Sequence, residues 1–228
     1  MNYMGKDITV SNEIAFITAS ESAYNQIKEK ILNGELKAGE RLSMRKMAHL
    51  AGSSVSPVIE ALNKLKEDGL IESQPKWGCR VAIYDKEKIE DIYMLRMAIE
   101  CQIIRILTLR MTSEQYLRCK EITDKLDSYK YNETDVDEIS VLHQKFHLML
   151  AEMTNFSSMI KTLVRCQLNW MLLTSDRKRS HTWEHLPHWH GRLLDAIMER
   201  DPDKSEALMR KHINEGLSGI LEVTTNYN

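Results

Sequence analysis

Beyond Asp85 only Pro187 and Pro202 interrupt the chain, and apolar residues recur there at three- and four-residue spacing. That period places successive apolar side chains on one face of an α-helix, so residues 85–228 are expected to form an all-helical, antiparallel bundle. Helices are predicted over 86–110, 113–130, 135–154, 157–178, 184–200 and 203–222. Thr112-Ser113, Asn155 and Asp201-Pro202-Asp203 supply the breaks. No strand pattern appears in this half.

The first 85 residues read differently. Tyr24, Ile27 and Ile31 lie at helical spacing within 21–32, and Gly34 follows where a helix end wants a left-handed residue. Ser43 can cap a second helix with Met44, Met47 and Leu50 on its stripe. A third helix starts near Ser54 to Pro57, buries Val58, Ala61, Leu62 and Leu65, and stops at Gly69. Two short strand-like runs, from Gly69 to Gln74 and from Gly78 to Ile83, flank Pro75-Lys76-Trp77 as a hairpin. Three helices and a hairpin make a winged helix-turn-helix. The expected division is an arm over 1–20, this domain over 21–84 and the helical domain over 85–228.

Composition narrows the function classes. The 228 residues are 43% hydrophobic and 28% charged, ordinary for a globular protein. Net charge is −2, and between Ser20 and Asp85 ten lysines and arginines face nine acids, so charge alone gives no nucleic-acid signature. No apolar run approaches the ~20 residues of a membrane span and no leader pattern opens the chain, so a cytoplasmic protein without membrane attachment is expected. Cys79, Cys101, Cys119 and Cys166 are far apart, which reads as buried reduced thiols and not as a disulfide frame or thiolate metal site.

The run from Ala23 to Ile83 resembles the DNA-binding domain of the GntR superfamily. The resemblance rests on Gly34, Leu36, Gly39 to Ser43, Ser54 to Leu62 with Pro57-Val58, Leu65, Gly69 to Ile71 and Gly78 to Val81. It implies double-stranded operator DNA as partner and, through dimer symmetry, a homodimer on a pseudo-palindromic site. Arg45, Lys46, Ser54, Ser56, Asn63, Lys76 and Arg80 are the candidate DNA contacts. For the cations among them, the competing reading is a solvated helix face. Val55 and Ile59 stand where the family pattern carries arginines, and an aliphatic side chain forms no bidentate fork to guanine or phosphate. Weaker or differently specific DNA binding is therefore expected, and Val55 offers apolar contact to a thymine methyl as the other outcome.

The second half resembles the FCD effector domain of the FadR subfamily, carried by Arg96 with Glu100, Phe146-His147, Asn155, His190, Leu193-Leu194, Ala196-Ile197, Asp201, Ala207 and His212. The resemblance implies a metal held by His143, His147, His190 and His212. His143 stands where the family usually has aspartate, which removes an anionic ligand and favours a divalent transition metal such as zinc or nickel. His143 and His147 are four apart and share a helical face. Any single histidine on an apolar face is ordinarily a hydrogen-bonded core residue. His181, His185 and His188 read as loop residues, with His188 the alternative to His190. Arg96 is a candidate for a carboxylate effector through its guanidinium fork, with an ion pair to Glu100 as the competing role.

The reading is a ligand-responsive bacterial transcription regulator, either repressor or activator, with a small organic acid at a metal. Two alternatives stay open: a sensor that kept the fold without ordinary DNA binding, and a helical metallohydrolase. The latter is disfavoured because Gln144 occupies the general-base position of an HExxH-like run, and glutamine accepts no proton near neutral pH.

Overall fold

The computed structural model describes residues 17–75, 78–129, 136–175 and 189–225. Helix α1 (Ala19–Leu32) starts two residues before the periodic segment because Thr18 closes a capping box. Its hydroxyl accepts the Glu21 N–H at 3.1 Å, and the Glu21 carboxylate takes the Thr18 N–H at 3.0 Å. Tyr24, Ile27 and Ile31 turn inward, and Gly34 adopts φ +80°. Ser43 caps α2 (Met44–Leu50) by accepting the Lys46 N–H at 3.2 Å.

The stripe expected on α2 is only partly realised. Met47 is buried, Leu50 half-buried, and Met44 is 37% exposed. A helix this short presents little more than one residue to the core. Helix α3 (Val55–Glu67) buries Val58, Ala61, Leu62 and Leu65 as its spacing requires.

The hairpin forms from β2 (Ile71–Gln74) and β3 (Gly78–Val81). A third strand that the sequence did not announce, β1 (Arg41–Leu42), pairs antiparallel with β3 and gives the order β1-β3-β2. With α1 to α3 this completes a winged helix-turn-helix.

Six further helices follow: α4 (Lys86–Arg110), α5 (Ser113–Ser128), α6 (Val136–Met153), α7 (Ser157–Ser175), α8 (Trp189–Met198) and α9 (Pro202–Thr225). Asp85 caps α4 through the Lys88 N–H at 2.9 Å, and Thr112 with Gln115 forms a capping box on α5. Asn155 at φ +60° breaks α6 from α7. Arg200 at φ +64° turns the chain from α8 into α9, and its guanidinium donates to the carbonyls of Thr108 at 2.9 Å and Met111 at 2.7 Å. That clamp ties the turn to the end of α4, against which α9 packs along its length. All four cysteines are free and buried. Among the described residues no helix is long and apolar enough to cross a membrane.

Candidate metal centre and nucleic-acid face

Helices α6 and α9 bring three imidazoles to a common point. His143 and His147 lie one turn apart on α6, and His212 meets them from α9. The Nε2 atoms stand 3.1 Å apart for His143 and His212, 3.2 Å for His147 and His143, and 3.2 Å for His147 and His212. His147 is fully buried, and its ring stacks on His212 at 5.1 Å between centroids.

The tautomer of His147 is set from behind. Its Nδ1 is hydrogen-bonded to Glu100 Oε2 on α4, and a carboxylate can only accept. The neutral ring therefore carries its proton on Nδ1 and turns the Nε2 lone pair toward the other two histidines. Glu100 is held in turn by Arg96, whose Nε donates to Oε1 at 2.6 Å. Both partners are nearly inaccessible, at 6% for Arg96 and 2% for Glu100. Burial would raise the Glu100 pKa, but the adjacent Arg96 guanidinium and His147 hold it at about 2. Burial, then the neighbouring imidazoles, push His143 well below the ordinary histidine value. Burial lowers His147 too, against the pull of Glu100. Neutral imidazoles are the form that binds a metal.

The donor set fits a borderline divalent ion. Ligand nitrogens about 2.0–2.1 Å from an ion in a tetrahedral or octahedral shell lie about 2.9–3.4 Å from one another. The observed Nε2 separations of 3.1–3.2 Å fall in that interval, and imidazole suits zinc, nickel and cobalt.

His190, on α8, lies against the trio without joining its close triangle. Its ring centroid is 5.3 Å from those of His143 and His212. Its Nδ1 is 3.1 Å from Asp127 Oδ1 on α5, while Asp127 Oδ2 accepts the Gly191 N–H at 2.9 Å. The Nε2 of His190 and the Nε1 of neighbouring Trp189 are buried with no hydrogen-bond partner among the described residues. Buried polar atoms are ordinarily hydrogen-bonded, so these two are candidate contacts for a bound group. The Trp189 ring stands 5.4 Å from His212. His181, His185 and His188 lie outside the described residues.

Arg96 performs the competing role foreseen for it, as the ion-pair partner of Glu100, with its guanidinium 5.5 Å from the Tyr93 ring. One of its five N–H groups goes to Glu100, and the fork is thereby oriented. Glu100 as a support for His147, and Asp127 as a support for His190, carried no motif. Glu100 is 47 residues from His147 in sequence. Gln144, between the two α6 histidines, takes Gln167 Nε2 of α7 on its backbone carbonyl at 3.1 Å.

In the winged domain Arg45, Lys46, Ser54, Ser56 and Asn63 are all exposed. Two of the candidate cations are already engaged: Lys46 Nζ is 2.7 Å from Glu40, and Arg80 Nε is 2.6 Å from Glu72. The sheet register places Arg41 beside Arg80 on one side and Glu72 on the other. Arg41 was not singled out by sequence. Its signal would have been the pairing of β1 with β3, which two residues cannot announce. Lys76 and Trp77 lie outside the described residues. Val55 and Ile59 are 43% and 42% exposed on α3.

Residues 19–81 match the family described as bacterial regulatory proteins, gntR family, and residues 91–215 match the FCD domain. The chain is similar to the HTH-type transcriptional regulator YdhC of Bacillus subtilis strain 168, at 25% identity over 87% of this chain and 91% of that protein. It is also 25% identical to the HTH-type transcriptional repressor RspR of Escherichia coli strain K12, over 90% of each. Its fold is like that of solved E. coli McbR/YncC, with a TM-score of 0.72 and 17% identity over 93% of this chain and 100% of that one.

Proposed function

The chain belongs to the GntR family of bacterial regulatory proteins with an FCD domain, and from that premise we propose that a metal-centred effector site governs its grip on an operator. It is a transcription regulator and not an enzyme. The carrying observation is the triangle of Nε2 atoms on His143, His147 and His212, braced from behind by Glu100.

In this reading the three histidines hold a zinc- or nickel-class ion, and His190, whose Nε2 has no hydrogen-bond partner among the described residues, is the fourth ligand. When bound, the ion is a Lewis acid that draws an oxygen of a small carboxylate effector. The chain's own residues determine the selectivity. All four ligands are imidazoles and none is a carboxylate, so no anionic ligand offsets the ion and an anion is favoured over a neutral molecule. Trp189 Nε1 and the guanidinium N–H groups that Arg96 does not spend on Glu100 are the donors for the effector's remaining oxygens. The buried surroundings strengthen each of these contacts.

The regulator acts as a cytoplasmic homodimer on double-stranded operator DNA. Arg45, Lys46, Arg80, Lys76 and the N-cap residue Ser54 contact the backbone, while Ser56 and Asn63 lie at base edges. The effector changes operator affinity only by as much as it prefers one arrangement of the winged domains over the other.

The test is a selection of full-length protein on a random duplex pool at fixed salt, repeated with a panel of small carboxylates. An enriched, two-fold related sequence whose affinity shifts at least fivefold with one acid is expected. Enrichment that no acid changes, in metal-loaded protein, contradicts the effector reading. Failure to enrich any duplex favours the sensor without ordinary DNA binding.

A further inference from the structure

The exposed face of α3 carries no positive charge through its first two turns. From its start to its middle it offers Ser54, Val55, Ser56, Ile59, Glu60 and Asn63 to solvent. The inward stripe is taken by Val58, Ala61, Leu62 and Leu65, so Val55 and Ile59 are not spare core residues. They are four apart, which sets their Cβ atoms about 5–6 Å from each other on one face. That spacing is under two base-pair steps of about 3.4 Å. Ser54 makes no side-chain capping bond, which leaves its hydroxyl and the first-turn N–H groups pointing outward for phosphate oxygens.

Deepening the operator reading above, and resting on it, we infer that this face reads thymine. Val55 and Ile59 contact the C5-methyl groups of two thymines in the major groove, and Asn63 takes the N6 and N7 edge of an adenine. Among base edges only thymine presents an apolar group there, and asparagine is matched to adenine. Glu60, exposed on the same face, repels phosphate, which keeps this face of the helix turned to the base edges and off the backbone. The attraction to the duplex backbone comes from beside the helix. Arg45 and Lys46 of α2 and the neighbouring Arg41 and Arg80 of the sheet supply it. The half-site is therefore A·T-rich where α3 enters.

The decisive probe is the operator with its methyl groups removed. Full-length protein is used to select a duplex at fixed salt, and each thymine of the half-site is then replaced singly by deoxyuridine, which pairs identically and lacks the methyl. Affinity should fall about fourfold at each of two positions. Val55→Ala should abolish the sensitivity at one of them and Ile59→Ala at the other. Both residues are exposed on a helix that alanine favours, so the variants keep the fold. A selected half-site that tolerates every deoxyuridine, or sensitivity that both variants retain, overturns the inference while leaving operator binding intact. A pool in which no duplex is enriched overturns the operator reading itself, and this inference with it.

Discussion

Tyr84 Oη is hydrogen-bonded to Asn169 Oδ1 across the junction between the winged domain and α7, and it stands 3.0 Å from the carbonyl oxygen of Gly69. Gly69 ends the turn after α3 at φ +80°, and a Cβ there would come 2.8 Å from the same Asn169 oxygen. Asn169 Nδ2 donates at 2.9 Å to the Arg165 carbonyl, so the amide is gripped at both ends. Two residues earlier on α7, Gln167 holds the backbone of α6 between the two metal-site histidines. One helix thus touches both the α6 backbone between the candidate metal ligands and the turn that follows α3.

Removing the Tyr84 hydroxyl should expose this junction. Tyr84→Phe leaves the buried Asn169 Oδ1 without its donor, and a stability loss of about 1–3 kcal/mol is expected from urea denaturation. Metal content should be unchanged, whereas the effector-driven shift in operator affinity should shrink. Gly69→Ala should lose about 1–2 kcal/mol from the left-handed backbone alone, with the clash against Asn169 in addition. Combining it with Asn169→Ala should recover the clash component, so the double-mutant cycle returns a coupling between the two sites. Strict additivity would contradict the contact.

Glu100 is expected to matter to both stability and metal binding. Glu100→Gln leaves Arg96 buried opposite a neutral partner, and breaking one side of such a pair costs about 3–5 kcal/mol. It also removes the charge that fixes the His147 tautomer, which should weaken metal affinity about 10–100-fold. Competition against a chromophoric chelator checks the second effect on protein shown by circular dichroism to be folded. Unaltered affinity would mean that Glu100 braces the bundle only.

Much of this arrangement was legible in the sequence because the relevant signals are local. His143 and His147 share a face by their spacing alone, and helix ends followed from Asn155, Asp201 and the glycines after α1 and α3. The contacts that set chemistry were not legible for a physical reason. Glu100 sits one turn from Arg96, so sequence gives that pair, but its second oxygen reaches His147 only because α4 crosses α6. Asp127 similarly meets His190 through the packing of α5 on α8. Met44 fell on the apolar period of α2 yet points to solvent, because that helix is too short to bury a full stripe. Strand β1 is too short to carry a period at all.

The account stands most directly on metal stoichiometry. Purified protein saturated with zinc or nickel and freed of excess ion should retain about one ion per chain by elemental analysis. His147→Ala and His212→Ala should each retain far less while giving the wild-type circular dichroism spectrum. Wild-type protein that holds no ion, or folded variants that hold it as well as wild type does, would contradict a metal centre built on the three converging histidines.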